Sequence, residues 1–254
     1  MSWLESKRVP LPEVGTAAGE ATVLTDRVGG ESRSPREAAC VEHAIQLGMH
    51  QGVLLNIGVG DGAIALELAG RCPEVTVLSI DRSAEKIASA TEAAEREGLQ
   101  GRVFFQATDL RRTKFKSEYF DGVLCLGILH QVEDPLALLN EIARVVKRDG
   151  ALLVRDLRRP SRFSLWWHSR WFGRKYPGWM RAAFHARVRA AYSYSEWQKF
   201  FQASDLHSSA RIFVRGLSHM GIERPARETL FAALAAHKAR REYLAETEAW
   251  RKEL

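Results

Sequence analysis

Hydrophobic residues fall along this chain in short unbroken runs, separated by longer stretches where they recur every third or fourth position. Five runs stand out: VLLNIG (53–58), VTVLSID (75–81), VFFQATD (103–109), FDGVLCLG (120–127) and ALLVRDL (151–157). They lack the in/out alternation of half-exposed strands. Continuous apolar strands are what a parallel sheet needs when helices cover both of its faces. Helical patterns lie between the runs, over about 63–70, about 83–97, and from Asp134-Pro135 to Lys147-Arg148-Asp149-Gly150. Ahead of the first run, Ser34 can cap, Pro35 suits the first helical position and Glu37 can complete a capping box, for a helix that stops near Gly48 and Gly52. Beyond Leu157 the spacing of Phe184, Val188 and Tyr192 is helical, and Ser195 with Gln198 reads as a capping box for a helix through Phe200 and Phe201. ARIFVRG (210–216) and SHMGIER (218–224) read as two closing strands joined at Gly216. The repeated strand–helix order predicts an α/β fold: a doubly wound, mostly parallel seven-stranded sheet with helices on both faces. Phe104 and Phe105 are expected in its core.

The same pattern divides the chain. Residues 1–32 are weakly periodic and rich in Gly, Pro, Thr and Glu, which predicts a flexible arm. One domain is expected over 33–224, with an insert at about 158–195, followed by a C-terminal helical extension at 225–254 that offers a surface for oligomer formation. No apolar run reaches the roughly 18 residues of a spanning helix, and the first residues lack a secretory h-region, so a cytoplasmic protein is expected. Cys40, Cys72 and Cys125 stand far apart with no CxxC partner, which points away from a disulfide framework and from a zinc site; no metal is expected.

Charge sharpens one segment only. The 254 residues carry a net charge of +6. Between Arg155 and Arg189 ten basic residues face the single acid Asp156, a local +9 that leaves the remainder at −3. The basic character therefore belongs to one segment, and nucleic-acid binding does not follow from it. That segment, SRFSLWWHSRWFGRKYPGWM (161–180), also holds Trp166, Trp167, Trp171 and Trp179.

The candidate chemistry starts at the end of the first run. Gly58, Gly60 and Gly62 follow a buried strand, where backbone can approach a ligand closely at the mouth of such a sheet. Gly58-x-Gly60-x-x-Ala63 fits a dinucleotide turn, and Gly58-x-Gly60-x-Gly62 fits an S-adenosylmethionine turn equally well; in both, Asp81 is at the right distance to accept from ribose hydroxyls. The glycines alone leave both open.

Five ordered pieces distinguish the two: LLNIGVGDG; SID ending at Asp81; ATDL with Asp109; YFDGVLCLGILHQVEDP; and LNEIARVVKRDGALLVRDLRRP. From about Val53 to Asp156 the chain resembles the class I S-adenosylmethionine-dependent methyltransferases, especially the small-molecule branch that includes quinone-biosynthesis methyltransferases. The resemblance implies S-adenosylmethionine as cofactor, held by Asn56, Gly58, Gly60, Gly62, Asp81, Arg82, Asp109, Leu110 and Leu126. Asp81 would take the ribose, Asp109 and Leu110 the adenine, and Leu126 with Gly127 the methionine portion. Asn56 departs from the family, which usually has an acidic residue there, so Asn56→Asp is expected to keep or improve cofactor affinity. His130 matches the first position of a His-containing family loop and is the catalytic candidate. The insert would cover the substrate, with Trp166, Trp167, Trp171, Tyr192 and Tyr194 facing it, and His168 and His185 nearby. Residues 160–190 could instead contact an anionic membrane surface. The expected activity is methyl transfer to a small, apolar or aromatic acceptor. A non-catalytic partner subunit and an RNA methyltransferase are the alternatives, the latter disfavoured because no NPPY-type motif follows the fourth strand.

Overall fold

The computed structural model of the chain describes residues 7–11, 35–110, 113–161, 178–216 and 219–238. Helix α1 (Pro35–Gln46) precedes strand β1 (Gly52–Ile57), and α2 (Ala63–Arg71), β2 (Val75–Asp81), α3 (Ala84–Arg96) and β3 (Val103–Ala107) follow. After β4 (Phe120–Leu126) a 3-10 turn (Leu129–Gln131) leads to α4 (Pro135–Val145), β5 (Val146–Leu157), α5 (Gly178–Ala190), α6 (Tyr194–Ala203), β6 (Arg211–Arg215) and β7 (His219–Arg224). Residues 227–238 are helical.

The sheet order is β3-β2-β1-β4-β5-β7-β6. The first five strands run parallel, and β7 is antiparallel to both β5 and β6. This is the doubly wound seven-stranded arrangement that the hydrophobic pattern predicts. Strand parity sorts the core onto two faces. Leu54 of β1, Val77 of β2 and Leu153 of β5 pack with Val41 and Ala44 of α1 and Leu66 and Leu68 of α2. On the other face Leu55, Ile80, Val123 and Val154 pack with Leu138 and Ile142 of α4 and Trp197 of α6. Both faces are dry, which is why the strands read as unbroken apolar runs.

Local signals set the helix starts. Ser83 Oγ accepts from Lys86 N at 3.3 Å to cap α3, and Asp134 Oδ1 accepts from Ala137 N at 2.9 Å to cap α4 beside Pro135. Three details differ from expectation. The box that opens α6 is Ser193 with Glu196, not Ser195 with Gln198. Glu196 is fixed there because its Oε2 also accepts from Arg159 Nη2 at 2.9 Å, whereas Gln198 donates to Tyr194 Oη. Helix α4 ends at Val145, and Lys147-Arg148-Asp149-Gly150 belong to β5, where the register against β4 shifts between Phe120 and Gly122. Phe104 is 47% exposed, because β3 is an edge strand and its outer positions have no covering helix.

The closing strands fit only because Gly221 is bare. A Cβ there would run into the Val154 carbonyl and come within 2.8 Å of the Phe213 ring. Gly221→Ala should therefore cost about 2 kcal/mol or more of stability, read as a lowered urea midpoint at unchanged slope. A midpoint equal to wild type would contradict the β5–β7 packing.

Candidate functional site

The site forms at the carboxyl edge of the parallel strands, where β1 and β4 end side by side and each chain must turn away. After Ile57 the backbone enters the left-handed region at Gly58 (φ 92°) and Gly60 (φ 59°). At Gly58 a side chain would collide with Ile128 Cδ1, so the absence of a Cβ lets the turn after β4 close over it. At Gly60 a Cβ would meet nothing within 4 Å. Glycine is required at Gly60 by its backbone angle alone, and the space above it is open for a ligand.

Asp81 organises this turn. Its Oδ2 accepts from Val59 N at 3.1 Å and its Oδ1 from Ser83 N at 3.0 Å, so one buried carboxylate ties the glycine turn to the start of α3. Two acceptors of a carboxylate's four remain available, enough to take ribose hydroxyls. Arg82 is exposed beside it. Asp109 stands exposed two residues beyond β3, and Leu110 behind it is buried. Leu126 and Gly127 are half-buried at the end of β4. The cofactor candidates named from the sequence thus lie along the ends of β1 to β4.

Asn56 is buried, and its amide is committed. Its Nδ2 donates to the Gly58 carbonyl at 3.0 Å and to Ser79 Oγ at 3.1 Å. Ser79 is its register partner on β2, and sequence reasoning missed it. The amide here fastens the glycine turn from below; it is more than an acid that has lost its charge.

His130 has the most constrained surroundings. The 3-10 turn places it against the end of β5, where Asp156 faces it from 26 residues away. Asp156 Oδ2 accepts from His130 N at 2.9 Å and Oδ1 lies 2.7 Å from His130 Nδ1. Leu157 N also donates to Asp156, at 2.6 Å. Burial pushes the Asp156 carboxyl up, but the imidazole, these backbone N–H donors and the charge of His130 hold it below its ordinary value. His130 Nε2 is buried and has no hydrogen-bond partner among the described residues. Asp156 escaped the sequence reading, although it is the one acid inside the +9 segment. That isolation was the available signal.

The lid candidates divide. Tyr192 is buried, its hydroxyl donates to the Val132 carbonyl at 2.9 Å, and its ring meets Phe200 edge-on at 4.8 Å, so it serves as wall. Tyr194 is exposed on the first turn of α6. Arg187 of α5 reaches toward the mouth, its Nη2 being 3.9 Å from where a Cβ on Gly127 would sit. Trp166, Trp167, Trp171 and His168 lie outside the described residues. Among the described residues no helix is long and apolar enough to cross a membrane. The three cysteines are free thiols; burial raises the pKa of each.

Residues 55–154 match the methyltransferase domain family. Over that span the chain is similar to the class I S-adenosylmethionine-dependent methyltransferases. The chain is 32% identical over 126 residues to a phosphatidylethanolamine N-methyltransferase of Cereibacter sphaeroides, covering 50% of this chain and 59% of that protein. It is 29% identical over 118 residues to a ubiquinone/menaquinone biosynthesis C-methyltransferase of Geotalea daltonii, covering 46% of this chain and 50% of the other. It therefore spans about half the length of these curated relatives. Among solved structures, an S-adenosylmethionine-dependent methyltransferase from Aquifex aeolicus superposes with a TM-score of 0.56 at 19% identity, over 82% of this chain and 98% of that one. That likeness speaks for the fold alone.

Two variants probe the turn. Asp81→Ala should weaken S-adenosylhomocysteine binding by about 1.5–3 kcal/mol, the scale of a lost charge-assisted hydrogen bond; calorimetric affinity equal to wild type would remove Asp81 from the cofactor site. Asn56→Asp replaces the donor with a carboxylate facing the Gly58 carbonyl. The Gly58 carbonyl and the Ser79 hydroxyl would lose their amide donor, and the variant should lose about 1–3 kcal/mol of stability. A melting temperature at or above wild type would show that an acid is accommodated there.

Proposed function

We propose that this chain transfers a methyl group from S-adenosylmethionine to an ionisable hydroxyl on a small apolar or aromatic acceptor. The supporting observation is the buried, unpartnered Nε2 of His130 beside a fixed Asp156. The names of the relatives span nitrogen and carbon acceptors, so the acceptor group is argued from this chain's own residues.

The residues at the sheet edge fit the cofactor. Asp81 has acceptors to spare, the space over Gly60 is open, and Leu126 with Gly127 offers a partly apolar floor. When bound, the cofactor supplies an activated methyl on a sulfonium, so placing the acceptor atom in line and excluding water accounts for most of the acceleration. What remains is the proton. A hydroxyl must lose it as its oxygen takes the methyl, and a positioned base contributes typically 10²–10⁴-fold to such a step.

His130 is built for that task. With its Nδ1–H donated to Asp156, the neutral ring presents a lone pair at Nε2. The acceptor's O–H proton would pass to Nε2 as its oxygen takes the methyl, the methyl's bond to sulfur breaking to leave a neutral thioether, and the imidazolium would be stabilised by the Asp156 carboxylate until the proton leaves to solvent. Asp156 stays ionised throughout, consistent with its lowered pKa. Helix α5 packs against the turn that carries His130.

His130→Gln should bind S-adenosylhomocysteine within about twofold of wild type, since no described contact links His130 to the glycine turn, while methyl transfer to a panel of hydroxylated aromatic acceptors falls by about 10²–10⁴. Full transfer by the variant would eliminate His130 as base. Asp156 adds a pH signature. Its folded pKa lies below the ordinary 3.8, so its stabilising contribution is complete above that value and is lost as pH falls through the lower folded value. In urea titrations the stability gap between wild type and Asp156→Asn should shrink as pH falls below 4. A gap that keeps widening below pH 4 would contradict a buried Asp156 that stays ionised to below its ordinary value.

A further inference from the structure

Residues 7–11 lie within the stretch whose composition predicts a loose arm, yet they are docked against the site. Arg8 Nε donates to the Ala190 carbonyl at 2.8 Å, and its Nη2 donates to the His130 carbonyl at 3.3 Å. The guanidinium also lies 4.3 Å from the centre of the Tyr192 ring, and Val9 N donates to the Arg189 carbonyl at 3.1 Å. These contacts span 122 and 182 residues of sequence.

The end of α5 explains why this strand of chain binds. The last carbonyls of a helix have no partners within it, and they form the negative end of its dipole. At α5 the carbonyls of Arg189 and Ala190 are taken by Val9 N and Arg8, and the Ala191 carbonyl just beyond is taken by Arg159 Nη1 at 2.5 Å. A guanidinium donates in two directions from one rigid plane, so Arg8 can close the helix end and reach the 3-10 turn together. At His130 this completes the anchoring. Its N–H and Nδ1 are fixed by Asp156, and its carbonyl is fixed by Arg8. The turn is also held by Gln131, whose Nε2 donates to the Gly127 carbonyl at 2.8 Å and whose backbone N donates to the Ile128 carbonyl at 2.9 Å.

We propose that Arg8 is a positioning residue for His130: the docked segment 7–11 locks the turn carrying the base to the end of α5, and the acceptor side of the site is complete only while that segment is in place. The inference rests on the reading of His130 as a base. Without Arg8 the turn keeps Asp156 as its pivot but loses the contact that sets its tilt, and proton transfer is sensitive to such misplacement.

The test uses the full chain with S-adenosylhomocysteine bound, comparing wild type, Arg8→Ala and Arg8→Lys. Two readouts are taken: amide hydrogen exchange and the ¹⁵N spectrum of the His130 ring. In wild type the ring should show one tautomer, protonated at Nδ1. In Arg8→Ala the amide of His130 should exchange on the order of tenfold faster while Leu54 and Leu55 keep their protection, and the ring signals should move toward a tautomer mixture. Arg8→Lys, which keeps a positive charge but lacks the rigid planar fork, should fall between them. Unchanged exchange and an unchanged ring spectrum in folded Arg8→Ala would overturn the proposal. So would equal acceleration at Leu54 and Leu55, since Arg8 would then act on global stability alone. Both readouts are independent of turnover, so full methyl transfer by His130→Gln would defeat the functional reading while leaving the Arg8 result to stand or fall by itself.

Discussion

A charge removed from water must find donors, and at the ends of these parallel strands that requirement shapes everything nearby. Asp81 and Asp156 are both buried, and an isolated buried carboxylate would be too costly to keep ionised. Each meets the demand by taking backbone N–H groups from a turn that would otherwise wander. Asp81 gathers the glycine turn and the start of α3. Asp156 gathers the 3-10 turn and the end of its own strand. The carboxylates thus need the turns as much as the turns need them. The open space over Gly60 and the buried, unpartnered Nε2 of His130 are what remains when those demands are satisfied.

Between the two carboxylates, Asn56 shows how a neutral group can do a related job. It cannot compensate charge, but it donates to both a backbone carbonyl and a neighbouring hydroxyl. The turn after β1 is therefore held from one side by a negative acceptor and from below by an amide donor. A carboxylate could not substitute for that second hold without pairing with a carbonyl that has no proton to give. The departure from the family pattern at this position belongs to the turn's architecture, whatever it does to the cofactor's methionine end.

The strands, their order of winding and the cofactor turn were legible in the sequence because they depend on short-range patterns. Apolar runs, glycines and a strand-end acid at Asp81 can be read within about thirty residues. Asp156 was not legible as a partner of His130, since their meeting depends on the β4–β5 register and on a turn whose geometry no local motif encodes. Arg8 was less legible still: its ligands lie 122 and 182 residues away, and the composition around it argues for a loose arm. The α6 capping box shows the same limit on a small scale. Two overlapping patterns, Ser193 to Glu196 and Ser195 to Gln198, compete locally, and the distant Arg159 decides between them. The misjudged Phe104 has a similar cause, since only the strand order reveals that β3 is an edge.

The two outer stretches of the described chain leave the sheet from opposite rims. Residues 7–11 rest at the carboxyl rim, beside His130. The helix over 227–238 starts at the amino rim, where Ala226 N bonds the Leu47 carbonyl and Gly48 lies against Thr229. Strands of six or seven residues put about 20 Å between those rims. The helix over 227–238 therefore begins on the side away from the chemistry. A fluorophore or fusion partner attached close ahead of residue 7 would compete with Arg8 for the helix end it caps. Joining the two stretches into a circular chain would require a linker long enough to pass around the sheet's edge, and a short one would lift segment 7–11 out of place.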